Sequence, residues 1–60
     1  MVRYRYLSLL AAAREIAAIP SEEADYMEAK TICRKYGIYL ESLTSDEISI
    51  LNSLIADFAN

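Results

Sequence analysis

The sequence predicts an all-α fold, a small three-helix domain arranged as a bundle or an open helical array. Three observations predict it. The 60 residues include only one glycine and one proline, so breaks between elements are few. Apolar residues recur every three or four positions in three segments, which is the period of an amphipathic helix. Residues that typically start or stop helices lie at the ends of these segments. We expect helices at about residues 3–18, 22–36 and 45–58, with 1–60 as a single domain.

A chain this short has few ways to stabilise its fold. It buries only about 60% of the surface that its unfolded form exposes. Cys33 is the single cysteine and there is no histidine, so neither an intrachain disulfide nor the usual Cys/His zinc site can form. Small domains without these supports often depend on a partner subunit. We therefore expect association into a homodimer or higher oligomer to complete the fold.

Charge and targeting signals narrow the class of protein. The net charge is −3, which disfavours nucleic acid and anionic membrane surfaces as partners. Arg3 and Arg5 precede an apolar run that resembles a short signal peptide. Two tyrosines and a serine interrupt this run, and Arg14 and Glu15 follow within the same segment. We expect a cytoplasmic protein without a membrane span; a secreted protein is the alternative.

The first helix is apolar on nearly every side. Its broad face is the set Val2, Tyr6, Leu9, Leu10, Ala13, Ile16 and Ala17, and its opposite side is the set Tyr4, Ser8, Ala11, Ala12 and Glu15. The opposite side is small or amphipathic rather than charged, which favours contact with a second copy. An alanine-rich face open to solvent is the alternative. The predicted self-association surface is Tyr4, Leu7, Ala11 and Ala18, with Ile50 added from the third helix.

Pro20 ends the first helix, and Ser21 is the predicted N-cap of the second. The carboxylates at positions 22, 23 and 25 suit the positive end of a helix better than they suit a metal ion. An apolar stripe follows at helical spacing, formed by Tyr26, Ala29, Ile32, Cys33 and Tyr36. Cys33 is thus expected to be a core residue rather than a nucleophile. The basic residues Lys30, Arg34 and Lys35 complement the negative end of the helix.

Two local signals are expected to set the remaining boundaries. Gly37 should end the second helix in a left-handed cap, with Ile38 and Leu40 turning into the core. Thr44 and Glu47 have the spacing of a capping box, with Leu43 and Ile48 placed for a hydrophobic staple. The third helix therefore begins at Ser45. Its predicted apolar stripe is Ile48, Leu51, Leu54, Ile55 and Phe58.

Residues 29–48 loosely resemble a helix-turn-helix motif. Cys33 is the small residue four before Gly37, and apolar residues follow that glycine at positions 38 and 43. The resemblance implies a DNA-binding regulator whose recognition helix spans about Tyr39–Glu47. That segment is acidic and has no basic residue, whereas groove readers need cationic or amide side chains.

No catalytic, cofactor-binding or metal-ligating set stands out. The chain has no histidine and no glycine-rich phosphate loop, and its acidic residues have no sequence reason to converge. We expect a non-enzymatic small interaction protein, an adaptor or regulator that associates with itself through helical surfaces and possibly with another protein. No cofactor and no small-molecule substrate are expected. A helix-turn-helix DNA binder is the alternative function, and a subunit that contributes residues to a shared active site is another.

Overall fold

The structure is a computed structural model that describes residues 2–20 and 25–60, the side chains of residues 2–5 excepted. Helix α1 spans Val2–Ala17, α2 spans Tyr26–Lys35 and α3 spans Ser45–Ala59. A single 3₁₀ turn, Leu40–Ser42, lies between α2 and α3. The described residues contain no strand. The prediction of three helices and an all-α class is therefore confirmed.

Helix α2 begins later than predicted. Asp25 has extended backbone angles and is the N-cap, since its carboxylate accepts a hydrogen bond from the Glu28 backbone N–H at 2.8 Å. The predicted N-cap, Ser21, and the acidic residues at 22 and 23 lie outside the described residues. Serine and aspartate are both strong N-caps, so the sequence offers two starting points within five positions.

The end of α2 is the predicted glycine cap. Gly37 has a φ of +76°, a left-handed conformation that other residues adopt only at a cost. The Ile38 backbone N–H donates to the Cys33 carbonyl at 2.9 Å, and that of Gly37 donates to the Arg34 carbonyl at 2.9 Å. This is the hydrogen-bond pattern of a Schellman motif, and it turns Ile38 into the core beside Cys33. Leu40 also packs against the core, as predicted.

The start of α3 at Ser45 and its capping box are as predicted. The Thr44 hydroxyl accepts from the Glu47 backbone N–H at 3.2 Å, and the Glu47 carboxylate accepts from the Thr44 backbone N–H at 2.9 Å. The preceding Leu43 is buried, in the position that a hydrophobic staple requires. The capping box thus fixes both the first residue of α3 and the approach of the chain to it.

The core lies where α1 meets the other elements. Its buried members are Leu9, Ala12, Ala13, Ile16, Cys33, Ile38, Leu43 and Leu51. The four from α1 follow the i, i+3, i+4, i+7 spacing of one helix face. The assignment of Ala12 to the outer side of α1 is wrong, since Ala12 is 0% exposed. The buried face is centred on two alanines, whose small side chains let neighbouring elements approach the helix axis closely.

Helix α1 is the central element. It packs against α2 and, more extensively, against α3, whereas the described residues of α2 and α3 hardly meet each other. Four residues predicted in apolar faces are consequently more exposed than expected: Tyr6, Tyr26, Ile48 and Phe58. They lie near helix ends or on the side where α2 and α3 leave a gap. No helix in the described ranges is both long and apolar enough to cross a bilayer.

Candidate interaction surfaces

The predicted self-association surface is partly open in the structure. Leu7 is 56% exposed, and Ala18, just beyond the end of α1, is also exposed. Ala11 is half-buried between them. Ile50 on α3 is 39% exposed. The side chain of Tyr4 lies outside the described part of the chain. Large apolar side chains therefore reach solvent on both α1 and α3.

A second apolar surface is the groove between α2 and α3. Its volume is about 300 Å³. It exists because α2 and α3 both pack on α1 but scarcely on each other. Ile48 and Tyr26 form exposed parts of its wall, and Asn52 contributes its one side-chain amide. The lining residues are Ile16, Tyr26, Ala29, Leu40, Ile48, Leu51, Asn52 and Ile55. This chemistry suits an apolar side chain rather than a charged ligand.

The most connected polar cluster joins α1 to the end of α2. Lys35 Nζ lies 3.0 Å from Glu15 Oε1 and 3.2 Å from Oε2, and the Tyr36 hydroxyl donates to Oε2. The hydrogen bond from Tyr36, and next the one from Lys35, lower the pKa of Glu15. Hydrogen bonding to Glu15 raises the pKa of Lys35 and of Tyr36. The three groups stabilise one another's ordinary protonation states, as in a structural contact.

Lys30 forms a similar contact on the other side of α2. Its Nζ lies 3.0 Å from Glu41 Oε2 and 5.9 Å from the centre of the Tyr26 ring. The pKa of Glu41 is lowered, first by a backbone hydrogen bond within its own residue and then by Lys30. The ion pair connects α2 to the 3₁₀ turn. Lys30 and Lys35 thus hold neighbouring elements together, a role that the helix-dipole interpretation did not predict.

The thiol of Cys33 has the environment of a core residue. It is fully buried, and burial raises the pKa of its thiol, which disfavours the reactive thiolate. Among residues 2–20 and 25–60, no three His, Cys, Asp or Glu side chains are grouped so that they could hold a metal ion. The acidic positions 22 and 23 fall outside that part of the chain.

The recognition helix implied by the helix-turn-helix resemblance is not formed. Within the segment Tyr39–Glu47, Leu40–Ser42 is a 3₁₀ turn and Leu43 is extended, with φ −75° and ψ 142°. A new helix then begins at Ser45. The capping box at Thr44 competes with any helix that runs through this position, and it prevails.

The charged residues on the same helices as the exposed Leu7 and Ile50 were not identified from the sequence. Arg14 on α1 and Asp46 and Asp57 on α3 are exposed. The Arg14 guanidinium carbon lies 6.0 Å from the centre of the Phe58 ring. All six basic residues of the chain precede α3, whose charged residues are Asp46, Glu47 and Asp57. Comparison of the charged residues of α1 with those of α3 in the sequence would have shown that the basic residues all precede α3 and that α3 carries only acidic ones.

Neither a protein-family model, nor a curated protein, nor a solved structure matches this chain significantly.

Proposed function

We propose that this chain is a small, non-enzymatic interaction protein that works in the cytoplasm as an adaptor or regulator and associates with itself through helical surfaces. The observation that carries the proposal is the exposure of Leu7, at 56%, on a helix whose other side already forms the core. Monomeric proteins rarely leave large contiguous apolar patches open to water. A second copy offers the same apolar surface and is available whenever the protein is present.

The physical gain from covering this surface is appreciable for a small domain. Full burial of a completely exposed leucine or isoleucine side chain contributes about 1.5–3 kcal/mol, and Leu7 and Ile50, which are 56% and 39% exposed, would contribute a corresponding part of it. A twofold dimer buries each exposed residue twice, because both copies use the same patch. Leu7 and Ile50 together could thus offset a useful part of the entropy that two molecules lose on association. The additional stability would support a fold whose own core is small.

The test is the molecular mass in solution across a concentration series. We expect sedimentation velocity and light scattering to show a dimer or higher oligomer at micromolar concentration. Leu7→Glu should shift the mass to that of a monomer, because a carboxylate cannot be buried in an apolar contact without a large cost. Met27→Glu is the matched control: Met27 is 69% exposed on α2, away from the proposed surface. Circular dichroism checks that both variants stay helical.

Two results would overturn the proposal. One is a well-folded wild-type monomer throughout the micromolar range. The other is an oligomer that Leu7→Glu and Ala11→Glu both leave unchanged, since α1 would then have an ordinary face towards solvent.

A further inference from the structure

The outer sides of α1 and α3 carry the same spacing of residues with opposite charge. On α1, Leu7 and Arg14 are seven residues apart. On α3, Ile50 and Asp57 are likewise seven residues apart, and Asp46 lies four residues before Ile50. At 3.6 residues per turn, residues at these intervals lie on one side of a helix, within about 40° of each other. On α1 an exposed leucine is therefore followed two turns later by a basic residue, and on α3 an exposed isoleucine is followed at the same distance by an acidic one.

We infer that α1 of one copy docks against α3 of a second copy, with Leu7 against Ile50 and Arg14 against Asp57. This inference rests on the proposed self-association and specifies the surface that performs it. Both pairs align in one register when the two helices run side by side in the same direction. In the same parallel register, contact between two α1 helices would instead place arginine beside arginine, and contact between two α3 helices would place aspartate beside aspartate.

The described side chains are placed for such a contact. Leu7, Arg14, Ile50, Asp46 and Asp57 are all exposed. Among the described residues, Asp46 and Asp57 have no cationic partner within salt-bridge distance, so both carboxylates are open to one on another chain. The Arg14 side chain lies over Phe58, which holds its guanidinium group beside the α3 helix of its own copy without pairing its charge.

The charges act mainly on register and on the choice of partner. An exposed ion pair adds little affinity, whereas like charges forced together oppose association strongly. A twofold arrangement forms the α1–α3 contact twice, so a reversed charge at one position is felt at two places in the dimer. Reversal of a single charge should therefore raise the Kd of the dimer by about tenfold or more.

The experiment reverses one charge on each helix and then mixes the two variants. Arg14→Glu alone and Asp57→Lys alone should each weaken association, because each places like charges at both contacts. An equimolar mixture should restore the wild-type dimer Kd. In the mixed dimer the two reversed charges would face each other at one contact, and the unchanged Arg14 and Asp57 would face each other at the other. The mass distribution is measured by sedimentation velocity. Arg34→Glu and Glu28→Lys are controls with the same kinds of charge reversal at exposed positions of α2.

A second measurement needs no variant. The wild-type dimer Kd should increase when NaCl is raised from about 50 to about 500 mM, because salt screens exposed charges. This result stands even if Arg14→Glu loses its packing on Phe58 and unfolds. An apolar contact without ion pairs would be unchanged or tighter in high salt.

The outcomes separate this inference from the proposed function. If Leu7→Glu dissociates the protein but neither charge reversal nor salt alters the Kd, self-association stands and the α1–α3 pairing is overturned. If the two single reversals weaken association and the mixture does not restore it, the pairing between copies is likewise overturned, because the effect then arises within each chain. A wild-type protein that is monomeric throughout overturns both.

Discussion

Lys35 at the end of α2 lies with its Nζ 3.0 Å from Oε1 of Glu15 in the last turn of α1. The neighbouring Tyr36 hydroxyl donates to the other carboxylate oxygen. These contacts matter for the position of α2, since α2 has a smaller interface with α1 than α3 has. A single carboxylate thus joins two consecutive residues of one helix end to another helix.

The first prediction concerns acid. The pKa of Glu15 is lower in the folded chain than its ordinary value, chiefly because of the hydrogen bond from Tyr36. Its contribution to the free energy of unfolding is therefore fully present above the ordinary glutamate pKa and is lost as the pH falls through the lowered one. Glu15→Gln should be less stable than wild type at pH 7, and the difference should narrow below pH 4. Urea unfolding from pH 7 to pH 3 measures it.

At alkaline pH, the free energy of unfolding should depend on pH in the opposite direction. The pKa of Tyr36 is raised by its hydrogen bond to Glu15, so its contribution is present below the ordinary tyrosine pKa and is lost as the pH rises through the raised value. Tyr36→Phe should reduce the loss of stability above pH 10, and the remainder should come from Lys35, whose pKa is also raised by Glu15. It should also make the loss of stability in acid shallower, because it removes the main cause of the lowered Glu15 pKa. Tyr39→Phe, at an exposed tyrosine, is the control. Equal pH profiles for the two variants would show that Tyr36 does not hold the Glu15 carboxylate.

The second prediction concerns the alanines at the centre of the core. Ala12 is 0% exposed, so a larger side chain there must displace its neighbours. Ala12→Leu should lower the free energy of unfolding by about 1–3 kcal/mol. Ala56→Leu makes the same change at an exposed position of α3 and should alter stability by less than about 0.5 kcal/mol. Equal effects of the two changes would mean that Ala12 is not at a close helix contact.

The features predicted correctly from sequence are those decided within a few residues. The Gly37 cap and the capping box of Thr44 and Glu47 depend on hydrogen bonds between near neighbours, so their residue types and spacing are sufficient to locate them. The position of Ala12 could not be obtained in this way. Alanine contributes little to a hydrophobic pattern, and only the approach of another helix decides which alanine is buried. The groove is equally a tertiary result, since it depends on α2 and α3 packing on α1 rather than on each other.

The third prediction concerns the turn after α2. A Cβ at Gly37 would meet no atom within 4 Å, so the cost of Gly37→Ala comes only from its φ of +76°. We expect a loss of about 1–2 kcal/mol in the free energy of unfolding. Gly37→Asn should cost less, because asparagine tolerates this conformation better than alanine does. Urea unfolding of both variants tests the order; a larger loss for asparagine would mean that side-chain volume, not backbone angle, limits this position.

The last prediction uses Cys33 as a reporter of motion in α2. The thiol is fully buried, so a thiol reagent can reach it only when α2 opens away from α1. Helices with few buried contacts open locally at a lower free energy than the whole fold. Because α2 has the smaller interface, we expect Cys33 to be labelled through such an opening, with a free energy below that of global unfolding measured in urea.

Two variants distinguish local opening from global unfolding. Glu15→Gln removes the ion pair between Lys35 and Glu15 that joins α2 to α1, so it should accelerate labelling of Cys33 by more than its effect on global stability accounts for. Thr44→Ala weakens the start of α3, at a cost of about 1 kcal/mol. It should accelerate labelling of Cys33 by no more than this loss of global stability accounts for. Labelling that follows global stability in both variants would show instead that α2 unfolds only together with α1 and α3. Local opening would make α2 the element most easily displaced, while α1 and α3, whose outer sides carry the proposed contact between copies, remain packed together.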